Sequence, residues 1–477
     1  MSHKSNRHYD VIVVGAGPAG FASAIRCAQL GLKTACIDNW RNKAGQSQLG
    51  GAHLNAGSIA SMTLLESAKI YHQLNHDLAK HGIHAETISL DLLQLIKRKD
   101  KIIADISHNM AGSLAQYHID HIQAKARLLN AQQVEIVYTE NQAKLVLCAK
   151  HIILSTGSSP IKLDKVLVDN ECIIDSIGAL NLQVIPKKLA IVGAGVVGLE
   201  LASIWNRLGA KTILLEAQED FLSVVDQQIS GEAYRIFTQQ GLDIRLGARV
   251  ILAKTVNKKV SLEYQDQDGT HNLRVDKLIV ACGRKPNSML LAAPEANLLL
   301  DENGYVYVDK NCRTNLPNVY AIGDLTLHGP MLAHKGIEEG VFVAEFIAGQ
   351  CTPIHYENLP SVIYTGPEIA WVGQTEQDLR AAGVAINVGS FPLNKNVRAL
   401  AIGKTDGMVK IITSATNDKI LGVHIMSTLA SELIAEAVLA MEFSASSEDL
   451  SRTIHARPTL SEAIHDAAFS LKQGVMR

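Results

Sequence analysis

The chain of 477 residues has no long apolar run, almost no excess of charge and no closely spaced cysteines. No hydrophobic segment reaches the ~18 residues that a membrane-spanning helix needs, so we expect no membrane span. Its 45 Lys and Arg residues nearly balance 47 Asp and Glu residues, and this balance excludes the basic field that drives nucleic-acid binding. We therefore expect small molecules and other copies of the chain as partners.

The cysteines exclude a disulfide scaffold. Seven cysteines are scattered at positions 27, 36, 148, 172, 282, 312 and 351, and none forms a C-x-x-C pair. This usage is typical of a reducing compartment, so we expect a cytoplasmic protein. Cys27, Cys36 and Cys282 are expected to act as small hydrophobic side chains.

A glycine-rich motif lies between two strand-like segments near the N-terminus. Its glycines, Gly15, Gly17 and Gly20, have G-x-G-x-x-G spacing, and the second strand ends at Asp38. In a βαβ unit such glycines allow a tight turn, close approach of a diphosphate, and packing of helix on strand. Asp38 follows Gly20 at close to the ~20-residue spacing that is typical of this pattern, in which the carboxylate binds a ribose hydroxyl. The segment predicts a dinucleotide site.

The same pattern occurs a second time. Gly193, Gly195 and Gly198 follow an apolar strand, and the next strand ends at Glu216. One such motif is a weak signal, but two complete ones predict two dinucleotide sites. Residues 217–220 contain no arginine for a 2′-phosphate, which favours NAD(H) over NADP(H) at the second site.

Three further strand-like segments end at glycine turns. Those ending at Gly157 and Gly283 are expected to close the first and second nucleotide units. A third places Asp324 directly after Gly323, where its carboxylate can bind a flavin's ribityl chain. The alternative for Asp324 is a helix N-cap.

Several longer motifs resemble one known family. They are residues 193–205 (GAGVVGLELASIW), 283–287 (GRKPN), 331–335 (MLAHK), 360–375 (PSVIYTGPEIAWVGQT) and 420–443 (ILGVHIMSTLASELIAEAVLAMEF). Over nearly its full length the chain resembles the pyridine nucleotide-disulfide oxidoreductase family, and within it the dihydrolipoamide dehydrogenases.

The resemblance implies an α/β fold with two nested Rossmann-like domains, one for FAD and one for NAD(H), and a C-terminal α+β dimerisation domain. We expect the FAD domain at residues 1–157 and 283–354, the NAD domain at 158–282, and the interface domain at 355–477. It also implies a homodimer in which the partner's C-terminus completes each active site.

The resemblance further implies which residues bind the cofactors. For FAD they are Gly15, Gly17, Gly20, Asp38, Thr156, Gly157, Gly323, Asp324, Met331, Leu332, Ala333 and His334. For NAD(H) they are Gly193, Gly195, Gly198, Glu200, Glu216 and Gly283. No metal site is expected, because His53 has no Cys or carboxylate at ligand spacing.

The chain departs from the family pattern where the redox disulfide belongs, in a segment that reads roughly GGTCLNVGCIPSK. Residues 50–62 read GGAHLNAGSIASM and keep the frame without a gap. His53 and Ser58 occupy the two cysteine positions, and neither side chain supplies a thiolate. Met62 occupies the position of a lysine near the flavin.

A fourth departure lies near the C-terminus. The family's acid/base histidine is matched by Arg457, whose guanidinium stays protonated, while the glutamate that orients this histidine is kept as Glu462. Arg457 is expected either to join His53 in a cationic pocket or to pair with Glu462.

These departures lead to an expected function and two alternatives. We expect an NADH-dependent FAD oxidoreductase that passes electrons to a non-disulfide, quinone-like small molecule, with lipoamide dehydrogenase activity absent or very low. One alternative is a non-catalytic flavoprotein or assembly subunit, with a multienzyme complex as a further partner. The other is a dihydrolipoamide dehydrogenase that acts by an unrecognised route.

We predict that a titration with NADH takes up two electrons per FAD and produces no long-wavelength charge-transfer band between thiolate and flavin. The reason is that residues 53 and 58 supply no thiolate. Anaerobic absorbance spectroscopy of the purified holoprotein checks this. Appearance of the band contradicts the assignment of His53 and Ser58 to the cysteine positions.

Overall fold

The computed structural model describes residues 8–350 and 353–473, without the side chains of residues 472 and 473, so Cys351 lies outside the described residues. The strands are β1 (His8–Val14), β2 (Thr34–Asp38), β3 (Asp120–Asn130), β4 (Gln133–Tyr138), β5 (Lys144–Leu154), β6 (Ser158–Pro160), β7 (Ile173–Asp175), β8 (Lys188–Val192), β9 (Lys211–Leu215), β10 (Asp243–Arg245), β11 (Arg249–Val256), β12 (Lys259–Asp266), β13 (Gly269–Val275), β14 (Lys277–Val280), β15 (Arg284–Pro286), β16 (Val319–Ala321), β17 (Ser361–Ile363), β18 (Glu368–Gly373), β19 (Ile386–Pro392), β20 (Met408–Ser414) and β21 (Ile420–Ser427). The helices are α1 (Pro18–Gln29), α2 (Gly51–Ala56), α3 (Ser58–His76), α4 (Leu92–Gln116), α5 (Ser176–Ala179), α6 (Val196–Arg207), α7 (Gln227–Gln239), α8 (Ala333–Ile347), α9 (Glu376–Ala381), α10 (Val397–Ala401), α11 (Ala430–Glu442), α12 (Ser447–Arg452) and α13 (Glu462–Gln473).

The first of two compact units consists of Met1–Thr63, Leu93–Ile161 and Arg284–Tyr356. In its sheet β1 pairs in parallel with β2 and β5, and β5 pairs in parallel with β16. The strands β3, β4 and β5 pair in antiparallel fashion. Because β1, β2, β5 and β16 are parallel, their carboxyl ends meet at one edge, where ligands of such sheets bind.

Helices α1 and α8 of this unit run in the same direction. Near the start of both helices, a Cβ at Gly336 of α8 would lie 3.0 Å from the Ala19 Cβ of α1. Closer to their C-terminal ends, Glu345 of α8 accepts a hydrogen bond from Arg26 of α1 at 2.7 Å. The N-termini of both helices therefore lie at the same end, and the residues just before α8 come beside the first glycine loop.

The second compact unit consists of Leu64–Leu92, Lys162–Gly283 and Glu357–Arg477. It contains a parallel sheet in the order β10-β9-β8-β14-β7 and an antiparallel sheet in the order β17-β18-β21-β20-β19. A third, antiparallel sheet has the order β11-β12-β13. The glycine motif at residues 193–198 connects β8 to α6 in the first of these sheets.

Burial follows the two strand types. Four of the five residues of the central parallel strand β8 are buried, as expected for a strand covered on both faces. In β12 the buried residues alternate, with Val260, Leu262 and Tyr264 inside. The alternation at residues 133–137 likewise belongs to a strand, β4, in which Val134 and Ile136 are fully buried.

The architecture confirms the expected α/β class, with two glycine-loop units on parallel sheets and a C-terminal antiparallel sheet packed with helices. The boundaries after residues 157, 282 and 354 stay predictions. Among the described helices, none is both long and apolar enough to cross a membrane.

A buried cation stabilises the second unit. The Lys410 ammonium on β20 lies 2.7 Å from Asp226 and 2.7 Å from Glu376, and Lys410 and Asp226 are 2% and 0% exposed. Burial alone raises the pKa of Asp226, but the hydrogen bond from Lys410 and the nearby charges of His424 and Lys410 outweigh it, so the net pKa is lowered. The carboxylate is therefore ionised in the folded protein at neutral pH.

We predict that Lys410→Met lowers the free energy of unfolding by about 3 to 5 kcal/mol, because it leaves a buried carboxylate without its cation. Chemical denaturation measures the change, and Arg235→Ala, which breaks an exposed pair with Glu232, should change stability little. The contribution of Asp226 is full above its unfolded-state pKa of about 3.9. It is lost as the pH falls through the lower folded-state pKa. Equal stability of Lys410→Met and wild type contradicts the role of this pair.

Candidate functional site

The first glycine loop joins β1 to α1 through a very close backbone contact. Gly15 has φ of +110°, and a Cβ at Gly20 would lie only 1.9 Å from the Gly15 carbonyl oxygen. A Cβ at Gly17 would instead meet only the Gly51 Cα, at 4.0 Å. The loop therefore needs glycine at positions 15 and 20 for its own packing, while Gly17 borders open space.

The second loop, between β8 and α6, repeats this geometry. Gly193 has φ of +97°, and a Cβ at Gly198 would lie 1.9 Å from the Gly193 carbonyl oxygen. A Cβ at Gly195 would meet no protein atom within 4 Å. The absence of a side chain at Gly195 thus serves no packing need of the protein and leaves room for a ligand.

An acidic residue holds each loop in the same way. Asp38 accepts a hydrogen bond from the Ala16 amide at 3.3 Å, and Glu216 accepts one from the Ala194 amide at 2.7 Å. Burial raises the pKa of Asp38, and hydrogen bonds from backbone amides offset part of that rise. Both carboxylates lie at the carboxyl ends of their strands, where the resemblance places a ribose.

Asp324 belongs to a side-chain network. Its carboxylate accepts a hydrogen bond from the Ser158 hydroxyl at 2.5 Å, and Arg284 Nε donates to the same hydroxyl at 2.7 Å. No helix in the described residues is capped by the Asp324 side chain, so the alternative N-cap role is wrong. Sequence reasoning missed Ser158 and Arg284, although Arg284 lies in the GRKPN motif.

The other expected FAD residues surround the same edge. The Gly323 amide donates to Glu339 at 2.6 Å, and the Thr156 hydroxyl donates to the Asn287 carbonyl oxygen at 2.9 Å. Gly157, with φ of +68°, accepts a hydrogen bond from the Asn287 amide at 2.9 Å. The remaining expected residues form the entry into α8 and are Met331, Leu332, Ala333 and His334.

The remaining NAD residues differ in their surroundings. Gly283 has φ of +117°, a conformation that favours glycine. Glu200, buried in α6, accepts a hydrogen bond from the Tyr364 amide at 3.1 Å. One oxygen of the Glu200 carboxylate therefore already holds a backbone amide of this unit.

His53 and Ser58 form a pair between α2 and α3. The Ser58 hydroxyl oxygen lies 2.6 Å from Nδ1 of His53. Burial lowers the pKa of His53; Asp324 opposes this effect and His334 adds to it. A neutral imidazole bonded to a hydroxyl thus occupies the segment where the resemblance places a disulfide. The same segment lies against the first glycine loop, because a Cβ at Gly51 would lie 2.8 Å from the Gly17 Cα.

Met62 lies one helical turn beyond Ser58 on α3 and is half-buried. Residues four apart on a helix share a face, so Met62 extends the face that begins with the Ser58 hydroxyl. Its thioether brings no charge to that face.

Arg457 is paired in the second unit. Its Nε lies 3.1 Å from Glu462, the first residue of α13, and Glu462 also accepts a hydrogen bond from the Thr459 amide at 2.9 Å. The Arg457–Glu462 pair confirms one of the two expectations for Arg457. The other, a cationic pocket with His53, stays a prediction; burial lowers the pKa of His53, which disfavours a charged imidazole there.

The six cysteines in the described residues are all free. Cys27 and Cys36 are fully buried in a hydrophobic cluster, as expected. Burial raises the pKa of Cys27 to about 12 and also raises the pKa of Cys282. These thiols are therefore protonated at neutral pH and are poor nucleophiles.

One group of possible metal ligands occurs in the described residues. Atoms of Cys312, His328 and Glu339 lie within 4.8 Å of one another. The Lys335 ammonium, however, lies 3.6 Å from Glu339, so this carboxylate already faces a cation. We assign no metal to the group.

We predict that Gly195→Ala weakens NADH binding at least about tenfold, or 1.4 kcal/mol, without lowering the melting temperature. The added Cβ meets no protein atom within 4 Å and intrudes only on the ligand space. Gly198→Ala is the matched control: it should lower the melting temperature because its Cβ collides with Gly193. Fluorescence titration measures the NADH affinity and thermal unfolding measures the melting temperature. Wild-type NADH affinity in Gly195→Ala would show that this loop does not bind NADH.

Curated relatives match almost the whole chain. The dihydrolipoyl dehydrogenase of Cupriavidus necator is 42% identical and covers 98% of both chains. Dihydrolipoyl dehydrogenase 2, mitochondrial, of Arabidopsis thaliana is 39% identical over 97% of this chain and 90% of its own. The leghemoglobin reductase of Vigna unguiculata is 39% identical over 97% of this chain and 87% of its own.

Solved structures share the fold. LpdA of Mycobacterium tuberculosis superimposes with a TM-score of 0.89 at 24% identity, covering 98% of this chain and 99% of its own. The Cu(II) complex of the flavoprotein disulfide reductase RclA of Escherichia coli has a TM-score of 0.86 at 26% identity, covering 98% and 100%. The chain therefore has the fold of these proteins over 98% of its length.

The relatives correct the expected function. We expected electron transfer to a quinone-like, non-disulfide acceptor, because four residues depart from the family pattern. Relatives that match 97 to 98% of the chain are named dihydrolipoyl dehydrogenase. This finding overturns the expected acceptor and favours the second alternative, a dihydrolipoamide dehydrogenase that acts by an unrecognised route.

Two family models divide the chain as the fold suggests. Pyridine nucleotide-disulphide oxidoreductase matches residues 9–340, and the dimerisation domain of the same family matches residues 359–468. FAD and NAD(H) are the cofactors of this family, and in each glycine loop the middle glycine, Gly17 or Gly195, has no protein atom closer than 4.0 Å to the position of a Cβ. The dimerisation domain supports a homodimer, and Phe443 and Ile454 within it are 80% and 97% exposed. The chain belongs to the pyridine nucleotide-disulphide oxidoreductase family.

Proposed function

We propose that this chain oxidises a dihydrolipoyl-type dithiol with NAD⁺ in an FAD-dependent reaction. One observation carries the proposal: the chain is 42% identical to a dihydrolipoyl dehydrogenase over 98% of both lengths. It also keeps glycine at positions 17 and 195, where an added Cβ would meet no protein atom closer than 4.0 Å.

The cofactor-binding residues act by position. The loop amides around Gly17 and the N-terminus of α1 favour the diphosphate of FAD, and those around Gly195 favour that of NAD(H). Asp38 and Glu216 bind the riboses, and Asp324, fixed by Ser158, binds the ribityl chain. When bound, FAD accepts two electrons from the substrate and NAD⁺ takes them up as hydride.

The route must be one in which the substrate supplies both sulfur atoms. In the resemblance His53 and Ser58 stand at the positions of the family's cysteine pair, so these two positions offer no thiol for exchange with the substrate. A dihydrolipoyl group carries two thiols on one short chain and closes its own disulfide. The protein's task is then to orient the dithiol and to take up its proton.

A second candidate is a flavoprotein subunit without turnover, derived from a dihydrolipoamide dehydrogenase. The observation that favours it is the 2.6 Å hydrogen bond between Ser58 and Nδ1 of His53, which gives the Ser58 hydroxyl a partner within the protein. This candidate keeps the homodimer, with a cytoplasmic multienzyme complex as a further partner.

One experiment separates the two candidates. The purified holoprotein is mixed anaerobically with dihydrolipoamide and NAD⁺, and NADH formation is followed by absorbance. We predict turnover about 100-fold or more above the same concentration of free FAD, the range that positioned acid–base groups supply. Flavin bleaching by NADH, recorded on the same sample, shows that both cofactors are bound.

The control is the triple variant His53→Cys/Ser58→Cys/Arg457→His, which restores both thiols and the acid/base histidine at the matched positions. It should show the charge-transfer band that wild type lacks and should turn over dihydrolipoamide. A wild type that binds both nucleotides but forms no NADH, beside an active triple variant, selects the subunit without turnover.

A further inference from the structure

Oxidation of a dithiol requires a group that accepts its protons. An ordinary thiol has a pKa of about 8.5 and is mostly protonated at neutral pH, while the thiolate is the reactive form. The position that the resemblance assigns to the base carries Arg457, which stays protonated and lies 3.1 Å from Glu462. The base of this chain therefore has to be another residue.

His53 has the geometry of such a base. Its Nδ1 lies 2.6 Å from the Ser58 hydroxyl oxygen, which sets the orientation of the ring. Among residues 8–350 and 353–473, the hydrogen bond that the His53 ring makes is this one at Nδ1. The ring thus has one nitrogen bound to the protein and one left for a ligand.

The surroundings of His53 keep it in the form that accepts protons. Burial lowers its pKa, with Asp324 opposing this effect and His334 adding to it. Asp324 is itself held by the hydrogen bond from Ser158 at 2.5 Å. At neutral pH the imidazole is therefore uncharged.

We propose that His53 is the general base that takes the thiol proton of the substrate through Nε2, and that Ser58 is its positioning residue. This inference rests on the proposed function. The working tautomer carries its proton on Nδ1 and donates it to the Ser58 hydroxyl oxygen, which leaves the lone pair on Nε2 for the substrate.

The proton and electron balance is complete. A substrate S–H bond breaks and an N–H bond forms at Nε2, after which the imidazolium passes the proton to water. Over one turnover two S–H bonds break and one S–S bond forms in the substrate. NAD⁺ receives two electrons and one proton as hydride, and one proton is released to solvent.

The test compares His53→Gln with wild type in the FAD-loaded protein, with dihydrolipoamide and NAD⁺ as substrates. We expect kcat/KM for dihydrolipoamide to fall about 100-fold or more. In wild type, activity should be lost as the pH falls through the pKa of His53, because the protonated ring accepts no proton. In His53→Gln this acid limb should disappear, and the rate should rise only as the substrate thiol ionises, near about pH 8.5.

Further variants keep the test independent of folding. His53→Ala should regain activity with added imidazole. Ser58→Ala should lose part of kcat and shift the acid limb, whereas Ser58→Thr, which keeps the hydroxyl, should restore both. His108→Gln, an exposed histidine on α4, should match wild type.

Two results overturn the inference, and they differ. If wild type turns over dihydrolipoamide and His53→Gln does so equally well with the same pH profile, His53 is not the base although the proposed function stands. If wild type forms no NADH while His53→Cys/Ser58→Cys/Arg457→His does, the proposed function and the inference both fall.

Discussion

The contact between helix and strand at the two glycine loops is the constraint on which the rest of the protein depends. A Cβ at Gly20 or Gly198 would lie 1.9 Å from a carbonyl oxygen of its own loop, so α1 and α6 can start where they do only on glycine. This close start allows Asp38 and Glu216 to reach a loop amide from the neighbouring strand.

Much of the fold and part of the site follow from local sequence. Glycine spacing and strand patterns predict both βαβ units and their acids, because all the groups involved lie within one short segment. The Ser158–Asp324 bond joins residues 166 positions apart, and nothing in either segment signals the other. The 2.6 Å bond between Ser58 and His53 depends on the helix break at Gly57, which sequence pattern does not place.

The expected acceptor was wrong for a physical reason. Loss of the protein's thiols removes one route for electrons, but it does not determine which molecule supplies or receives them. A substrate with two thiols can form its disulfide without protein sulfur, so His53 and Ser58 are compatible with a dithiol substrate. The family match along residues 9–340 and 359–468 carries information on the substrate that the four departures do not cancel.

The charges at His53, Ser58 and Met62 favour an uncharged substrate. Met62 brings no charge, Ser58 is neutral, and burial lowers the pKa of His53, so its ring is neutral as well. An anionic acceptor would find no cation among these three side chains and would lose its hydration on binding. A dithiol loses little hydration beside them, and it ionises only when a base such as His53 removes its proton. The neutrality of these three positions is therefore the reason that the reaction needs a base.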